Sequence, residues 1–338
     1  MTSIPALLTI SNLHKSYAAP HQAQHWWPNP LASTQPNRIT AIKGLNLAII
    51  KGETLCVVGE SGCGKSTLAS LVMGLEEPDQ GHISYQGNNI SRLKHQHRQQ
   101  YRQRMQMVFQ DPYTALNPRL TVLHALVEPL LYHQPQLKRQ NAIDQAMTQL
   151  LAVGIEPALA QRFPHQLSGG QRQRINIARA LMVQPEFIVA DEPLSALDVS
   201  IQAQILNLLA QLQQQQQLTY LIFSHNLAAV EHMADRVAVM YEGQICEIGS
   251  REQIFNQPQH PYTQALLAAS PQIYEAPNKR HKLVGDVANR IPSQQGCSLQ
   301  DRCPKALETC RHQTPQAREI QAKHWLACHL APNLIGHS

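Results

Sequence analysis

The chain has 338 residues, of which 43% are hydrophobic and 15% are charged, and it carries a net charge of +5 at pH 7. This composition excludes a largely disordered chain and predicts one elaborate domain or two ordinary ones. No run of eighteen apolar residues occurs, and the start MTSIPALLTI lacks the positive charge of a secretory signal, so we expect neither a membrane span nor export. Apart from the segment 91–104, which we interpret as a solvated face, the basic residues are scattered, and we expect no nucleic-acid partner.

Two predicted strands open the chain, near residues 6–17 and 39–50. The segment 18–38 between them contains four prolines and the adjacent pair Trp26 and Trp27. Proline at this density excludes a regular helix or a central strand, so we interpret 18–38 as an insertion loop. It is either a variable surface loop or a docking loop, because exposed tryptophans often anchor protein interfaces.

The most informative segment is LCVVGESGCGKSTLASLVMG at 55–74, where a strand-like run enters a glycine-rich turn and leaves as a helical pattern. It fits G-x-x-x-x-G-K-[ST], a loop whose backbone N–H groups surround phosphate oxygens at a helix N-terminus. Lys65 is predicted to reach the β and γ phosphates, and Ser66 to bind Mg²⁺. Cys63 is either a thiol of lowered pKa or an inert small residue. The predicted ATP-binding residues of this loop are Gly59, Glu60, Ser61, Gly62, Cys63, Gly64, Lys65, Ser66 and Thr67.

Residues 121–152 have helical apolar spacing and predict a helical subdomain at about 111–180. Apolar strands at 187–190, 219–223 and 236–240 then complete a parallel sheet of the nucleotide-binding type.

Two carboxylates end the first of these strands, in the segment EFIVADEP. Parallel sheets present catalytic groups at the carboxyl ends of their strands. We therefore predict that Asp191 holds Mg²⁺ and that Glu192 accepts a proton from the attacking water.

The segment LSGGQRQR at 167–174 places a capping serine and two glycines before a strongly helical stretch, which makes a second anion-binding N-terminus. One nucleotide does not need two such sites from one chain. We therefore expect this site to serve the ATP of a partner subunit in a dimer that encloses ATP. The residues predicted for it are Leu167, Ser168, Gly169, Gly170 and Gln171.

With LSGGQ between the phosphate loop and the acidic strand end, the chain strongly resembles the ABC-type ATPase family. The resemblance implies an α/β fold with a RecA-like parallel sheet core, an antiparallel β subdomain and a helical subdomain, in an ATPase domain at 1–258. It also implies that Gln110 senses Mg²⁺ and the attacking water, that His225 contacts the γ-phosphate, that Asp198 communicates across the dimer, and that Tyr17 stacks on adenine. All the principal ATPase residues are present, which implies an active enzyme.

The segments HPYTQALL, GESGCGKST, DPYTALNPR and PHQLSGGQRQR resemble the ATPases of dipeptide, oligopeptide and nickel importers, nearest the second ATPase of dipeptide transporters. This implies an ATPase that powers bacterial peptide import from the cytoplasmic side of the inner membrane. The implied partners are a second homologous ATPase, two membrane permeases and an external binding protein. Dipeptides are the expected substrate, and longer peptides, nickel, glutathione and antimicrobial peptides stay open. A non-transport ABC ATPase is the other class, but it usually has two cassettes or a coiled-coil insertion.

The C-terminal extension predicted at 259–338 holds four of the seven cysteines, Cys297, Cys303, Cys310 and Cys328. Their spacing lacks the C-x-x-C pairs of common zinc ribbons. Four thiolates nevertheless suit either Zn²⁺ or an iron–sulfur cluster, and two disulfides rank third in a reducing cytoplasm. The resemblance to the importer ATPases favours a [4Fe–4S] cluster. The cysteines not predicted as ligands are Cys56, Cys63 and Cys246.

Overall fold

A computed structural model describes residues 6–18, 38–93, 95–195, 197–270 and 295–331. The strands are β1 (Ala6–Ala18), β2 (Arg38–Ile50), β3 (Thr54–Val58), β4 (Gln80–Tyr85), β5 (Asn88–Asn89), β6 (Met105–Val108), β7 (Phe187–Asp191), β8 (Thr219–Ser224), β9 (Arg236–Tyr241), β10 (Gln244–Ser250), β11 (Arg318–Gln321) and β12 (His324–Leu326). The helices are α1 (Lys65–Val72), α2 (His95–Arg104), α3 (Pro112–Ala115), α4 (Val122–His133), α5 (Arg139–Ala152), α6 (Gly169–Leu181), α7 (Val199–Gln216), α8 (Leu227–Met233), α9 (Arg251–Asn256), α10 (Pro261–Ala268) and α11 (Thr309–His312).

An antiparallel sheet in the order β2-β1-β4-β5 contains both predicted N-terminal strands. Ala18, the last residue of β1, is the register partner of Arg38, the first residue of β2. The predicted insertion loop joins them, but apart from these two end residues it lies outside the described part of the chain, as do Trp26 and Trp27. The docking hypothesis for that loop therefore stays a prediction.

The second sheet has the order β11-β12-β10-β9-β3-β8-β7-β6, and its strands from β9 to β6 are mutually parallel. The central strand β3 is buried on both faces, because its side chains alternate between two apolar cores. Leu55 and Val57 join the core shared with the antiparallel sheet, whereas Cys56 and Val58 join the core under the helices. The parallel sheet predicted from the apolar strands is confirmed.

The helical region α3–α6 packs beside the parallel part of this sheet, and its apolar residues continue the second core. Helix α10 has Pro261 in its first turn, and the side chain of His260 accepts its capping hydrogen bond. After residues 271–294, which are not described, β11 and β12 add to the large sheet through antiparallel pairing of β12 with β10.

Among the described residues, no helix is both long and apolar enough to cross a bilayer.

Candidate nucleotide-binding site

The phosphate loop connects the end of β3 to the first turn of α1. Gly64 precedes the helix with φ 108°, and a Cβ atom there would lie 2.5 Å from the carbonyl oxygen of Ala41. At Gly59 a Cβ atom would lie 2.2 Å from the carbonyl oxygen of Met240. Because a side chain at either position would clash with a carbonyl oxygen, only glycine lets the loop pack this closely against the neighbouring backbone. Among the described residues, no side chain caps α1, so its first N–H groups can donate to an anion.

Lys65 folds back over the loop that precedes it. Its Nζ donates to the carbonyl oxygens of Gly59 at 2.8 Å and Glu60 at 3.1 Å, and the side chain is 5% exposed. The same Nζ lies 3.9 Å from the Sγ of Cys63. Burial raises the pKa of the Cys63 thiol and Lys65 opposes this only in part, so the inert interpretation of Cys63 is the better one.

Three predicted residues converge on the carboxylate of Glu192. Gln110 Nε2 donates to it at 3.1 Å, His225 Nδ1 lies 3.2 Å away and Lys65 Nζ lies 4.0 Å away. Glu192 adopts φ 44°, a left-handed conformation that is uncommon outside glycine, and its N–H donates to the carbonyl of Phe223. The turn after β7 thereby brings the carboxylate to the phosphate loop.

Asp191 lies deeper, at the end of β7, and is 6% exposed. Burial raises the pKa of its carboxyl group, while a hydrogen bond with the Ser66 hydroxyl and the charge of Lys65 act in the opposite direction. Its Oδ1 is buried without a hydrogen-bond partner among the described residues. An open carboxylate oxygen beside a serine hydroxyl is an oxygen donor set that fits Mg²⁺.

Tyr17 lies near the first turn of α1. Its hydroxyl donates to Glu76 Oε2 at 2.6 Å and also interacts with Thr67, and the residue is 37% exposed. The ring therefore borders the phosphate loop while keeping a surface open to solvent.

The signature segment caps α6 and packs beside the start of α7. Ser168 and Gln171 form a reciprocal capping box, in which each side chain accepts from the other's backbone N–H. A Cβ at Gly170 would lie 2.7 Å from the side chain of Ile201. Asp198, three residues before Ile201, is exposed. In the described part of the chain, no hydrogen bond joins the signature residues 167–171 or Asp198 to the phosphate loop.

The four predicted cysteine ligands lie near one another. The Cys297 N–H donates to the Cys310 carbonyl at 2.7 Å. Burial raises the pKa of the Cys297 thiol to about 11, with further contributions from Cys310, Cys328 and Cys303. The seven cysteines are free thiols in this structure, and the disulfide alternative stays untested. Within the described ranges, however, no three His, Cys, Asp or Glu side chains are placed to hold a metal ion, so the ligand set stays a prediction.

Sequence reasoning missed a contact between the extension and the phosphate loop. Arg302 forms a two-point ion pair with Glu60, at 2.8 and 3.1 Å, across 242 residues of sequence. Neither residue lies in a local pattern that indicates the other. The only available signal was the position of Glu60 inside the phosphate motif.

Together, the parallel sheet, the phosphate loop and the polar groups around Glu192 define a nucleotide-binding ATPase of the ATP-binding-cassette type. Residues 42–195 match the ABC transporter family, and residues 246–310 match the C-terminal region of oligopeptide/dipeptide transporters. The di/tripeptide transport ATP-binding protein DppF of Pseudomonas aeruginosa is 45% identical over 300 residues, which cover 88% of this chain and 92% of that protein. The oligopeptide transport ATP-binding protein AppF of Bacillus subtilis is also 45% identical, over 86% of this chain and 90% of that protein.

Among solved structures, a dimeric ATP-binding cassette in a post-hydrolysis state, bound to ADP and Pi, matches with a TM-score of 0.62 and 26% identity. The match covers 72% of this chain and 98% of that one. The chain belongs to the ATP-binding proteins of the ABC transporter family, and it has the C-terminal region of the oligopeptide/dipeptide branch. ATP and Mg²⁺ are the ligands typical of ATPases of this family.

Proposed function

We propose that this chain is the ATPase subunit that powers peptide import, with dipeptides as the expected substrate. The observation that carries the proposal is the convergence of Lys65, Gln110 and His225 on the carboxylate of Glu192. The C-terminal region, characteristic of peptide transporters, supports the substrate class.

In the proposed binding mode, the triphosphate lies along the loop from Gly59 to Thr67, against the N–H groups that open α1. Lys65 reaches the β and γ phosphates once ATP replaces its contacts with the loop carbonyls. Tyr17 stacks its partly exposed ring on adenine. Ser66, Gln110 and Asp191 would hold Mg²⁺, which supplies positive charge to the β and γ phosphates when bound.

In the proposed hydrolysis step, Glu192 accepts a proton from the water that attacks the γ-phosphorus. The terminal P–O bond breaks and its electrons go to the β-phosphate oxygen, giving ADP and phosphate. Gln110 and His225 hold the Glu192 carboxylate in place and contact the water and the γ-phosphate. The left-handed backbone at Glu192 keeps this acid at the loop side of the sheet.

The signature residues are proposed to bind the ATP of a second, homologous ATPase. The N–H groups of Gly169 and Gly170, at the start of α6, would donate to a phosphate, and Ser168 is exposed beside them. Asp198 would carry the nucleotide state between subunits. The dimeric cassette with ADP and Pi supports this arrangement.

The proposed assembly also contains two membrane permeases and an external binding protein, with this subunit peripheral on the cytoplasmic side of the bacterial inner membrane. The two relatives at 45% identity are named for di/tripeptides and for oligopeptides, so this identity does not separate the two peptide classes. The substrate pocket lies in other subunits. Nickel, glutathione and antimicrobial peptides are alternatives that the same ATPase chemistry would serve.

We further propose that Cys297, Cys303, Cys310 and Cys328 hold a [4Fe–4S] cluster, with Zn²⁺ as the alternative. The proximity of the four cysteines, three of which raise the pKa of the fourth, Cys297, supports it, and no step of ATP hydrolysis passes through it. Anaerobic purification followed by iron, sulfide and zinc analysis tests it. Colourless protein with one zinc per chain would show that the four cysteines hold Zn²⁺ and not a cluster.

The transport proposal is tested by deleting the gene in its host and measuring uptake of labelled dipeptides, longer peptides and nickel. Uptake of at least one peptide class should be lost, and it should return with the wild-type chain but not with Lys65→Ala. Unchanged peptide uptake with loss of nickel uptake would identify nickel as the transported substrate. ATPase stimulation by ribosomes or DNA, with all uptake unchanged, would favour the non-transport class.

A further inference from the structure

The C-terminal extension is in direct contact with the phosphate loop through Arg302. Its Nη1 lies 2.8 Å from Glu60 Oε2 and its Nη2 lies 3.1 Å from Glu60 Oε1, which is a parallel two-point pair. The Arg302 side chain is 8% exposed and that of Glu60 is 28% exposed. A forked arginine–carboxylate pair of this kind fixes orientation as well as charge.

Arg302 is itself held in place on several sides. Its backbone N–H donates to the carbonyl of Leu299, which is buried in the core under the helices. Its guanidinium lies 5.8 Å from the ring centre of Tyr241, whose hydroxyl accepts a hydrogen bond at 3.4 Å. The arginine therefore has a fixed position from which to hold Glu60.

Glu60 is held at three separate groups. Its N–H donates to the hydroxyl of Tyr262 at 2.9 Å, its carbonyl accepts from Lys65 Nζ at 3.1 Å, and its carboxylate pairs with Arg302. Tyr262 comes from α10, so two parts of the chain beyond the parallel sheet fix this one loop residue. The other loop contacts described above come from the ATPase core alone.

We propose that Arg302 is a positioning residue for ATP binding, because it neutralises the Glu60 carboxylate and fixes the turn that Glu60 occupies. Without the guanidinium, a partly buried negative charge would stand next to the loop that receives the triphosphate. Like charges at such short range in a partly buried site repel strongly. This inference rests on the proposed ATP site and extends it to a residue of the extension.

A merely structural role makes a different prediction for the double variant. If Arg302 only packs the extension against the loop, also replacing Glu60 should not restore ATP affinity. If charge neutralisation is its role, the double variant Arg302→Gln/Glu60→Gln has no uncompensated charge and should bind ATP more tightly than Arg302→Gln alone.

The experiment uses the full-length protein and measures the Kd for MgATP together with the KM and kcat of ATP hydrolysis. We expect Arg302→Gln to raise Kd and KM about tenfold with kcat within about twofold, since the side chains assigned to the hydrolysis step, Glu192, Gln110 and His225, are unchanged. The double variant should recover at least about threefold of the affinity that Arg302→Gln loses. The defect of the single variant should shrink in high salt, which screens the exposed part of the repulsion.

Arg311→Gln is the matched control, because Arg311 lies in the same extension but is 71% exposed, and its ion pair within the described residues is with Glu308, three positions earlier. It should bind ATP like the wild type. Arg302→Lys keeps the charge but not the fork, so we expect about a threefold loss of affinity. That variant carries the test if Arg302→Gln does not fold, and wild-type affinity for it would then overturn the proposal.

Two further results would overturn it: wild-type affinity in Arg302→Gln, or a double variant as weak as the single one. Lys65→Ala separates this failure from failure of the ATP site itself. If Lys65→Ala also binds ATP normally, the site assignment is wrong. If Lys65→Ala loses ATP and Arg302→Gln does not, only the role of Arg302 is wrong.

Discussion

Replacing Glu192 by glutamine removes a negative charge and a proton acceptor while keeping the size of the side chain. General bases of this kind contribute about 10²- to 10⁴-fold in rate, or about 3 to 5 kcal/mol of barrier. Glutamine can still accept one hydrogen bond at the position that Gln110 and His225 now contact. We therefore expect kcat to fall at least about a hundredfold without unfolding.

ATP affinity should not fall in the same variant. In the wild type, Lys65 Nζ lies 4.0 Å from Glu192, a separation worth about 4 kcal/mol of gross attraction at an effective dielectric constant of about 20. Without that attraction, Lys65 is freer to bind the phosphates. Glu192→Gln should therefore retain ATP and accumulate the ATP-bound dimer, which size-exclusion chromatography with and without ATP would detect.

Glu186→Gln is the matched control, because Glu186 directly precedes β7 and Glu192 directly follows it. In the described part of the chain, the Glu186 side chain forms ion pairs of 3.9 and 4.0 Å with Lys51 and Arg104 and accepts a hydrogen bond from Gln86. Its replacement should leave kcat unchanged. Normal turnover by Glu192→Gln would refute its assignment as the base, and weaker ATP binding would refute the role given to Lys65.

Three other predictions concern stability and the loop. Glu247 is 1% exposed and accepts hydrogen bonds from a buried histidine and two backbone N–H groups. Glu247→Ala should therefore lower the free energy of unfolding by about 3 to 5 kcal/mol. Glu308 is exposed, so Glu308→Ala should change it by less than about 0.5 kcal/mol. Hydrogen exchange at the start of α10 checks this, and equal protection in both variants would contradict it. Burial lowers the pKa of His260 to about 4, so its neutral form, whose Nδ1 accepts the capping hydrogen bond of α10, is favoured in the folded chain. The contribution of His260 to the free energy of unfolding should thus be complete above about pH 6.5, and it should fall by at most about 1.4 kcal/mol per pH unit as the pH drops towards 4. Denaturant titrations at several pH values should show this slope in the wild type and not in His260→Asn. Finally, Gly64→Ala should abolish ATP binding because its Cβ would meet a carbonyl oxygen at 2.5 Å, whereas Gly62→Ala, with nothing within 4 Å, should be milder; equal calorimetric affinities would argue against the steric account.

The parts of the fold that the sequence predicted well are those with local signals. The strands at 6–17 and 39–50 agree with β1 and β2 to within a residue at each end. The helical spacing at 121–152 corresponds to α4 and α5. Apolar periodicity and turn residues act within one element, so they can be read from a short window.

The missed features are contacts between distant parts of the chain. Arg302 and Glu60 are 242 residues apart, and Glu247 and His324 are 77 apart. Nothing in either local sequence indicates these pairs, because the charges look like ordinary surface residues until the fold buries them. Strands β11 and β12 were also missed, since four and three residues are too few to show an alternating pattern.

Cys63 shows a different limit. Its neighbour Lys65 and the start of α1 both suggested a reactive thiol, yet burial of the sulfur outweighs them and raises its pKa. Sequence shows which charges are near in the chain, but it does not show how much water reaches an atom.

The pairing of β12 with β10 has a consequence for any shortened form of the protein. The Ala327 N–H donates to the Cys246 carbonyl of β10, while Glu247 and Ile248 of that strand face Leu326 and Trp325. A truncated chain that ends after α9 would leave this edge as a row of open backbone groups next to apolar side chains, which is a template for intermolecular strand addition. A minimal cassette cut from this chain should therefore aggregate, and a soluble one would need a charged residue or proline placed on β10.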